Sequence, residues 1–311
     1  MAKRGKTNNA ERGGKLIWQA SELNTRYQQF FRTQLLQLAL ARFRWINLPP
    51  TCNARYLETQ LCFSGMATIA APKSAPNVYM SLKAVPGGIN MYGNASKWYA
   101  MGDNGTRFAC DHTNGVMVYD NMLRASIAGT FTLLAYDMAD ILRTKQVNRM
   151  HVKTPVILIG DQAYKQQMLN VFKQVAGNEP GVIATKGFSN IQADAIKTGV
   201  PYYGAELQED LMATWNMAFT FLGINNLPFK AERQTADEIK DYGEPCELLS
   251  LNPLSCRREA CEKFNAMHMV RVWGKETPKP LKCVWNEDVE STAYNFMHDV
   301  EKRAEAGLEV V

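Results

Sequence analysis

The sequence predicts an α+β fold in which two long helices, joined by a compact αβ insert, follow a small β unit. Three observations carry this. Residues 204–226, GAELQEDLMATWNMAFTFLGINN, place Leu207, Leu211, Trp215, Ala218, Phe219 and Leu222 at spacings of three and four, one apolar stripe on a helix. Residues 121–147 repeat the pattern with Ile127, Phe131, Leu134, Met138 and Ile141. Between positions 56 and 119, short apolar segments alternate with Pro, Gly and Asn turns, the mark of antiparallel strands.

The helix at 204–226 has an unusual second face. No charged residue occurs between Leu211 and Phe229, and the face away from the stripe carries Ala213, Asn216, Met217 and Thr220. A free surface helix would show Lys and Glu there. The sequence therefore predicts a helix covered on both sides, by its own chain or by another copy. A membrane span is disfavoured, because Asn216, Thr220, Asn225 and Asn226 interrupt a run already short of the ~20 apolar residues a span needs.

Composition supports a folded protein, with 46 % hydrophobic residues in 311. The net charge of +5 is uneven: the first 45 residues hold nine Lys and Arg against Glu11 and Glu22, which leaves the rest at −2. Basic arms of this kind meet nucleic acid or acidic surfaces, or act as solubilising tails, and charge alone leaves both readings open. Seven scattered cysteines with no C-x-x-C pair predict reduced thiols in a cytosolic assembly site. The start, MAKRGKTNNAERGGK, lacks the apolar core of a signal peptide.

In chain order, residues 1–14 read as a mobile basic arm. A helix is predicted over 24–47, capped by Asn24 or Thr25 and stopped by Pro49-Pro50. Arg42 and Arg44 fall in its last turn, where the helix dipole favours cations. Strands at 66–71, 78–83, 97–101, 107–110 and 115–118 predict a barrel or partial sandwich. The second long helix follows; about 26 residues would span about 39 Å. The insert reads as a strand at 155–159 (PVILI), a helix at 162–176, a strand at 181–185 and a short helix at 191–197. Residues 230–247 are charged without an apolar stripe and read as a loop or frayed helix. The last part reads as a helix at 257–268, strands near 269–273 and 281–285, and a helix at 288–306.

Catalytic patterns are missing. Gly13-Gly14-Lys15 lacks the remainder of a phosphate loop, and neither G-x-S-x-G nor H-E-x-x-H occurs. His151 reads as a helix end, and the adjacent His298 and Asp299 diverge on one helix. Cys256 and Cys261 flank a predicted helix start, which can activate a thiol, but buried structural thiols are the better reading. The acidic residues do not cluster as a metal site requires. The chain reads as a non-enzyme without cofactors.

Five motifs in order carry a family resemblance: FRWINLPPTCN at 43–53, KTPVIL at 153–158, WNMAFTFLGIN at 215–225, ERQTADE at 232–238 and REACEKFN at 258–265. With them the chain resembles the portal, upper collar or head–tail connector proteins of small, protein-primed, short-tailed phages of the Picovirinae kind. The resemblance runs from about Arg26 to His268.

The resemblance implies a homo-oligomeric ring, a dodecamer in the family, at one special capsid vertex of the virion. Double-stranded DNA enters and leaves through its axis. It divides the chain into a mobile arm (1–20), a first helix with the β unit as a wing (21–120), a stem helix (121–152), an αβ clip at the narrow end (153–202), a second stem or channel helix (203–226), a channel loop (227–250) and a wide-end α+β region (251–311). Implied partners are the packaging ATPase, the major capsid and scaffold proteins, the lower collar or tail protein and, as a further candidate, a packaging RNA. Assembly would take place in the host cytoplasm.

DNA that slides needs backbone charge and shape without base readout, and charges beyond about 8 Å of the phosphates are screened. Lys197 matches a family channel lysine. A second family lysine falls at Glu206, a departure from the pattern, and Lys230 and Arg233 are alternative channel cations or merely solvated. Lys3, Arg4, Lys6, Arg12 and Lys15 are the arm's nucleic-acid candidates. Two rival classes are a monomeric nucleic-acid-binding module built on the arm and β unit, and a ring-forming scaffold or tail component without DNA contact.

Overall fold

The computed structural model describes residues 10–153, 156–159, 192–195, 201–224, 236–274 and 278–289. The chain divides into two compact units, Met1–Gln28 with Tyr136–Thr214, and Gln29–Ala135 with Trp215–Val311. No helix among the described residues is long and apolar enough to cross a membrane.

Helix α1 runs over Ala10–Ala41, so it begins inside the predicted arm. The reason is periodic: Leu16, Ala20, Leu23, Tyr27, Phe31 and Leu35 continue one stripe at spacings of three and four. It ends before the predicted stop because Phe43–Ile46 forms strand β1, paired antiparallel with the last strand, β9 (Lys282–Trp285). Helix α2, Ala54–Ser64, follows directly on the motif at 43–53 and was not predicted. Asn53 caps it by accepting from the Tyr56 N–H, and Gly65 ends it at φ +73°. A Cβ on Gly65 would lie 2.5 Å from the Arg124 carbonyl oxygen, so glycine is required for space as well as for the backbone angle.

Strands β2 (Met66–Ala70), β3 (Met80–Ile89), β4 (Ala95–Met101), β5 (Arg107–Asp111) and β6 (Gly115–Tyr119) form one antiparallel sheet in the order β5-β4-β3-β2-β6. The two edge strands are neighbours in sequence, joined by a tight turn in which the Asn114 N–H donates to the Asp111 carbonyl. A flat five-stranded sheet would hold its edges ~19 Å apart, whereas the turn from Asp111 to Gly115 reaches ~14 Å at most. The sheet is therefore curled into a partial barrel, and a two-sheet sandwich is not formed. Its inner face packs Ala70, Leu82, Ala84, Trp98, Ala100, Cys110 and Met117. Trp98 Nε1 donates to Thr68 Oγ1 (3.0 Å), whose hydroxyl donates to the Val116 carbonyl (3.0 Å). The alternate residues of β2 and β6 (Ala67, Ile69, Val116 and Val118) face Leu57 and Leu61 of α2 and, further along the chain, Leu254 and Phe264.

Helix α3 spans Ala128–Lys153. It starts seven residues later than predicted because Arg124 adopts φ +57°, and Ser126 Oγ accepts from the Ala128 N–H at the helix start. Strands β7 (Val156–Ile159) and β8 (Gln192–Ala195) pair antiparallel. Residues 192–195 are thus a strand where a short helix was predicted; QADA alternates small and polar residues against VILI, the period of a strand. The predicted helix at 162–176 and strand at 181–185 lie outside the described residues.

Helix α4, Gly204–Leu222, buries Leu211, Trp215, Ala218, Phe219 and Leu222 as its stripe predicts. It stops at Gly223, φ +71°, where a Cβ would lie 2.8 Å from the Ser250 nitrogen. Helix α5 covers Ala236–Met267. The charged stretch read as a loop or frayed helix is helical from Ala236 on. Once the apolar half of a helix is packed, each added residue costs one fixed backbone for one hydrogen bond, and the helix propagates without a stripe of its own. Met269–Trp273 is a short helix, α6, where a strand was predicted; at its start the Arg271 and Val272 N–H groups donate to the His268 carbonyl (3.0 and 3.3 Å). The predicted C-terminal helix lies outside the described residues beyond Val289.

Candidate functional site

Within the larger unit, six elements converge on buried charges. Arg257 sits on the apolar stripe of α5, in phase with Leu254, Ala260, Cys261 and Phe264, and is 1 % exposed. Its Nε donates to Glu58 Oε1 (3.0 Å) and its Nη2 to Glu58 Oε2 (2.7 Å), a bidentate pair. Nη2 also donates to Asp120 Oδ1 (2.8 Å), and Nη1 to the carbonyls of Asp120 (3.2 Å) and Pro253 (3.1 Å). Trp45 Nε1 donates to Glu58 (2.7 Å), and the Arg257 guanidinium lies 4.0 Å from the Phe43 ring centroid.

Arg42 is the second buried cation. Its Nε donates to the Ala39 carbonyl (3.2 Å) and its Nη1 to the Leu222 carbonyl (3.1 Å), closing the C-terminal ends of α1 and α4 with one side chain. Sequence placed Arg42 in the last turn of a helix. The structure places it just past the end, fully buried, while Arg44 is exposed on β1. Burial lowers the Arg42 pKa, with Asp120 opposing and Arg257 adding to the effect. Burial also works against the charge of Arg257, but Glu58 and Asp120 together outweigh it and raise its pKa. Two cations and two carboxylates leave the cluster formally neutral. This is a structural junction: every donor of Arg257 is used, which leaves no open position for a substrate.

The same unit holds α1, α3 and α4 together through aromatic rings. Phe31 meets Trp215 edge-on at 6.0 Å, Trp215 stacks with Phe219 at 5.6 Å, and Phe131 meets Phe221 at 5.9 Å. The far side of α4 is open. Met217 is 53 % exposed, Asn216 and Thr220 are half-buried, and Leu133 on α3 is 74 % exposed. Thr220 Oγ1 donates back to the Asn216 carbonyl (3.0 Å), so its hydroxyl is satisfied within the helix.

In the smaller unit the contacts are polar. Lys145 donates to Gln208 (2.7 Å), Gln146 to the Tyr27 hydroxyl (2.6 Å) and Arg143 to Asn24 (2.8 Å). Asn148 is 7 % exposed; its Nδ2 donates to the Pro201 carbonyl (3.1 Å), and its Oδ1 accepts from the Tyr203 N–H (3.1 Å).

The residues predicted from sequence to meet nucleic acid are not assembled among the described residues. Lys3, Arg4, Lys6, Lys197, Lys230 and Arg233 lie outside them. Arg12 and Lys15 fall in the first turns of α1, on helix where an arm was predicted, and their side chains lie outside the described residues. Among the described residues no three His, Cys, Asp or Glu side chains group as a metal site would need. The two cysteines weighed as nucleophiles are not activated. Burial pushes the Cys261 thiol up to about 12 and also raises that of Cys256. The buried charge junction was missed from sequence, although an Arg in phase with an apolar stripe is a readable signal.

Residues 15–278 match the family model described as Phage Connector (GP10). The chain belongs to that family, the connector or portal proteins of the phage head–tail junction. Two solved structures are similar in outline. A chain from the portal and tail of native bacteriophage P68 is 12 % identical over 98 % of this chain and 99 % of its own, with a TM-score of 0.48. A HK97 family phage portal protein from Corynebacterium diphtheriae is 11 % identical over 87 % of this chain and 94 % of its own, with a TM-score of 0.41.

Proposed function

We propose that the chain is the subunit of a portal ring, a dodecamer, at the unique vertex of a phage capsid, through which double-stranded DNA is packaged and ejected. The observation that carries this reading is the family match over residues 15–278. A property of α4 agrees with it: a long helix with an uncharged, half-open second face suits a subunit that meets neighbours. In this reading α3 and α4 are the stem, residues 153–202 the clip that meets the packaging ATPase, and the β unit the wing. Residues 227–250 line the channel, now with a helical C-terminal half, and 251–311 form the wide end toward capsid and scaffold proteins. The tail or lower collar protein attaches at the narrow end.

The ring itself has no catalytic task and needs no cofactor, since ATP hydrolysis belongs to the motor. Lys197, Lys230 and Arg233 are proposed channel cations. Lys3, Arg4, Lys6, Arg12 and Lys15 are proposed to contact DNA or a packaging RNA near the narrow end, by phosphate charge and without base readout. Negative-stain electron microscopy with light scattering on the purified chain tests the reading. A closed ring with an axial hole and a mass near twelve subunits is expected; a monodisperse monomer in assembly-permissive salt would overturn it.

A further inference from the structure

The curled sheet leaves one face of β3, β4 and β5 open. Its residues follow from register: Lys83 pairs with Met101 and Met101 with Arg107; Val85 pairs with Tyr99 and Tyr99 with Ala109; Lys97 pairs with Asp111. These are three cross-strand rows on one side of the pleat. Lys83, Lys97, Tyr99, Arg107 and Ala109 are exposed, and Val85 and Met101 half-buried. An apolar row of Val85, Tyr99 and Ala109 thus lies between a row with a cation at each end and a row carrying Lys97.

This face is unusually poor in negative charge. From residue 59 to 136 the only acids are Asp103, Asp111 and Asp120. Asp120 is buried in the charge junction. Asp103 accepts from the Tyr56 hydroxyl (2.9 Å). Asp111 accepts from the Thr113 N–H (2.8 Å) and hydroxyl and faces Lys73 at 3.9 Å. The ammonium groups of Lys83 and Lys97 make no hydrogen bond or ion pair among the described residues. Arg107 is held over the Tyr99 ring, 4.3 Å from its centroid. Tyr99 in turn lies across Gly87, where a Cβ would approach the ring to 3.1 Å. The cation is therefore presented on a fixed platform.

We propose that this sheet face docks an acidic segment of a partner protein, one whose carboxylates alternate with apolar side chains. The carboxylates would meet Lys83, Arg107 and Lys97, and the apolar side chains would cover the Val85–Tyr99–Ala109 row. Along β4 the three rows follow at Met101, Tyr99 and Lys97, every second residue and so ~6.8 Å apart, the spacing at which an extended peptide repeats the side chains of one face; carboxylates flanking an apolar side chain on that face would meet the two outer rows while it covers the middle one. The apolar row argues against nucleic acid as the occupant, since phosphates gain nothing from it. The one aromatic platform is also already occupied by a guanidinium, which leaves no free ring for base stacking. The inference does not depend on ring formation.

The test is panning of a random-peptide display library on the full chain, counter-selected on the triple variant K83E/K97E/R107E. Enriched sequences should interleave Asp or Glu with apolar residues. A synthesised winner, followed by fluorescence anisotropy, should bind the triple variant roughly tenfold more weakly or worse. Its Glu-to-Lys counterpart should regain binding to the triple variant. Lys263→Glu, on α5 away from this face, should change nothing. Winners without acidic bias, or winners that bind the triple variant equally well, would overturn the proposal. So would a single-stranded oligonucleotide that binds the wild type and is lost in the triple variant while no acidic peptide is selected; that result assigns the face to nucleic acid.

Discussion

Arg257 grips Glu58 fork to fork across 199 residues of sequence, with contacts of 3.0 and 2.7 Å. The pair joins α5 to α2, and Asp120 brings in the end of β6. Buried pairs add little net stability while intact, but removing one partner strands the other charge. Arg257→Met should therefore cost about 3–5 kcal/mol in denaturant-induced unfolding. Arg257→Lys should recover little, because an ammonium cannot satisfy both carboxylates and two carbonyls in the same plane. A loss under about 1 kcal/mol for Arg257→Met would refute this account of the junction.

Gly223 carries the turn out of α4. Gly223→Ala meets both the left-handed backbone and the Ser250 nitrogen at 2.8 Å. The substitution should lower stability by about 1–3 kcal/mol, read as a fall in thermal midpoint. Gly129→Ala provides the contrast, since a Cβ there meets nothing within 4 Å; in the first turn of α3 it should be neutral or slightly stabilising.

His268 makes stability depend on pH. Its Nδ1 lies 2.9 Å from the Tyr79 hydroxyl, and it is 1 % exposed. Burial lowers its pKa, Arg271 lowers it further, and the carbonyls of Gly115 and His112 oppose. The unfolded chain thus binds the proton more readily than the folded one. This contribution is complete above about pH 6.5, the unfolded value, and is lost as pH falls through the folded value. Urea titrations from pH 7.5 down to pH 5 should show that decline, and His268→Gln should flatten it. An unchanged slope in the variant would mean that another group is responsible.

Met217→Glu probes the open side of α4. The side chain is half-exposed within one chain, so the unfolding free energy of the isolated subunit should move by less than about 0.5 kcal/mol. If the proposed ring buries this face between copies, the substitution should block assembly, since a carboxylate would be buried without a partner. Light scattering that still reports a ring would remove α4 from the subunit contacts.

Much of this fold was legible because its signals are local. The stripe of α4 was readable from Leu211, Trp215 and Phe219, and the strands of the curled sheet from their turns. Three stretches depart from their local pattern. Phe43–Ile46 continues a helical pattern, yet pairs with Lys282–Trp285. Met269–Trp273 alternates like a strand, yet forms a short helix. Residues 236–247 have no stripe, yet extend a helix nucleated further on. The buried charges were missed for a related reason: Glu58 and Asp120 look like ordinary surface residues until α2 and β6 meet Arg257, the one member of the group whose place on an apolar stripe can be read locally. The sites proposed to touch DNA were drawn from family likeness and charge, and rest on those grounds.

Asn148 has one more consequence. By holding the Pro201 carbonyl and the Tyr203 N–H, it makes the chain return to the point from which it departed. Whatever intervenes is a closed excursion whose two ends are fixed by a single amide. Such an anchor predicts that what lies beyond α3 tolerates a change of length without shifting the point at which the chain returns. A chimera carrying a foreign segment between Asn148 and Pro201 should fold as well as its parent.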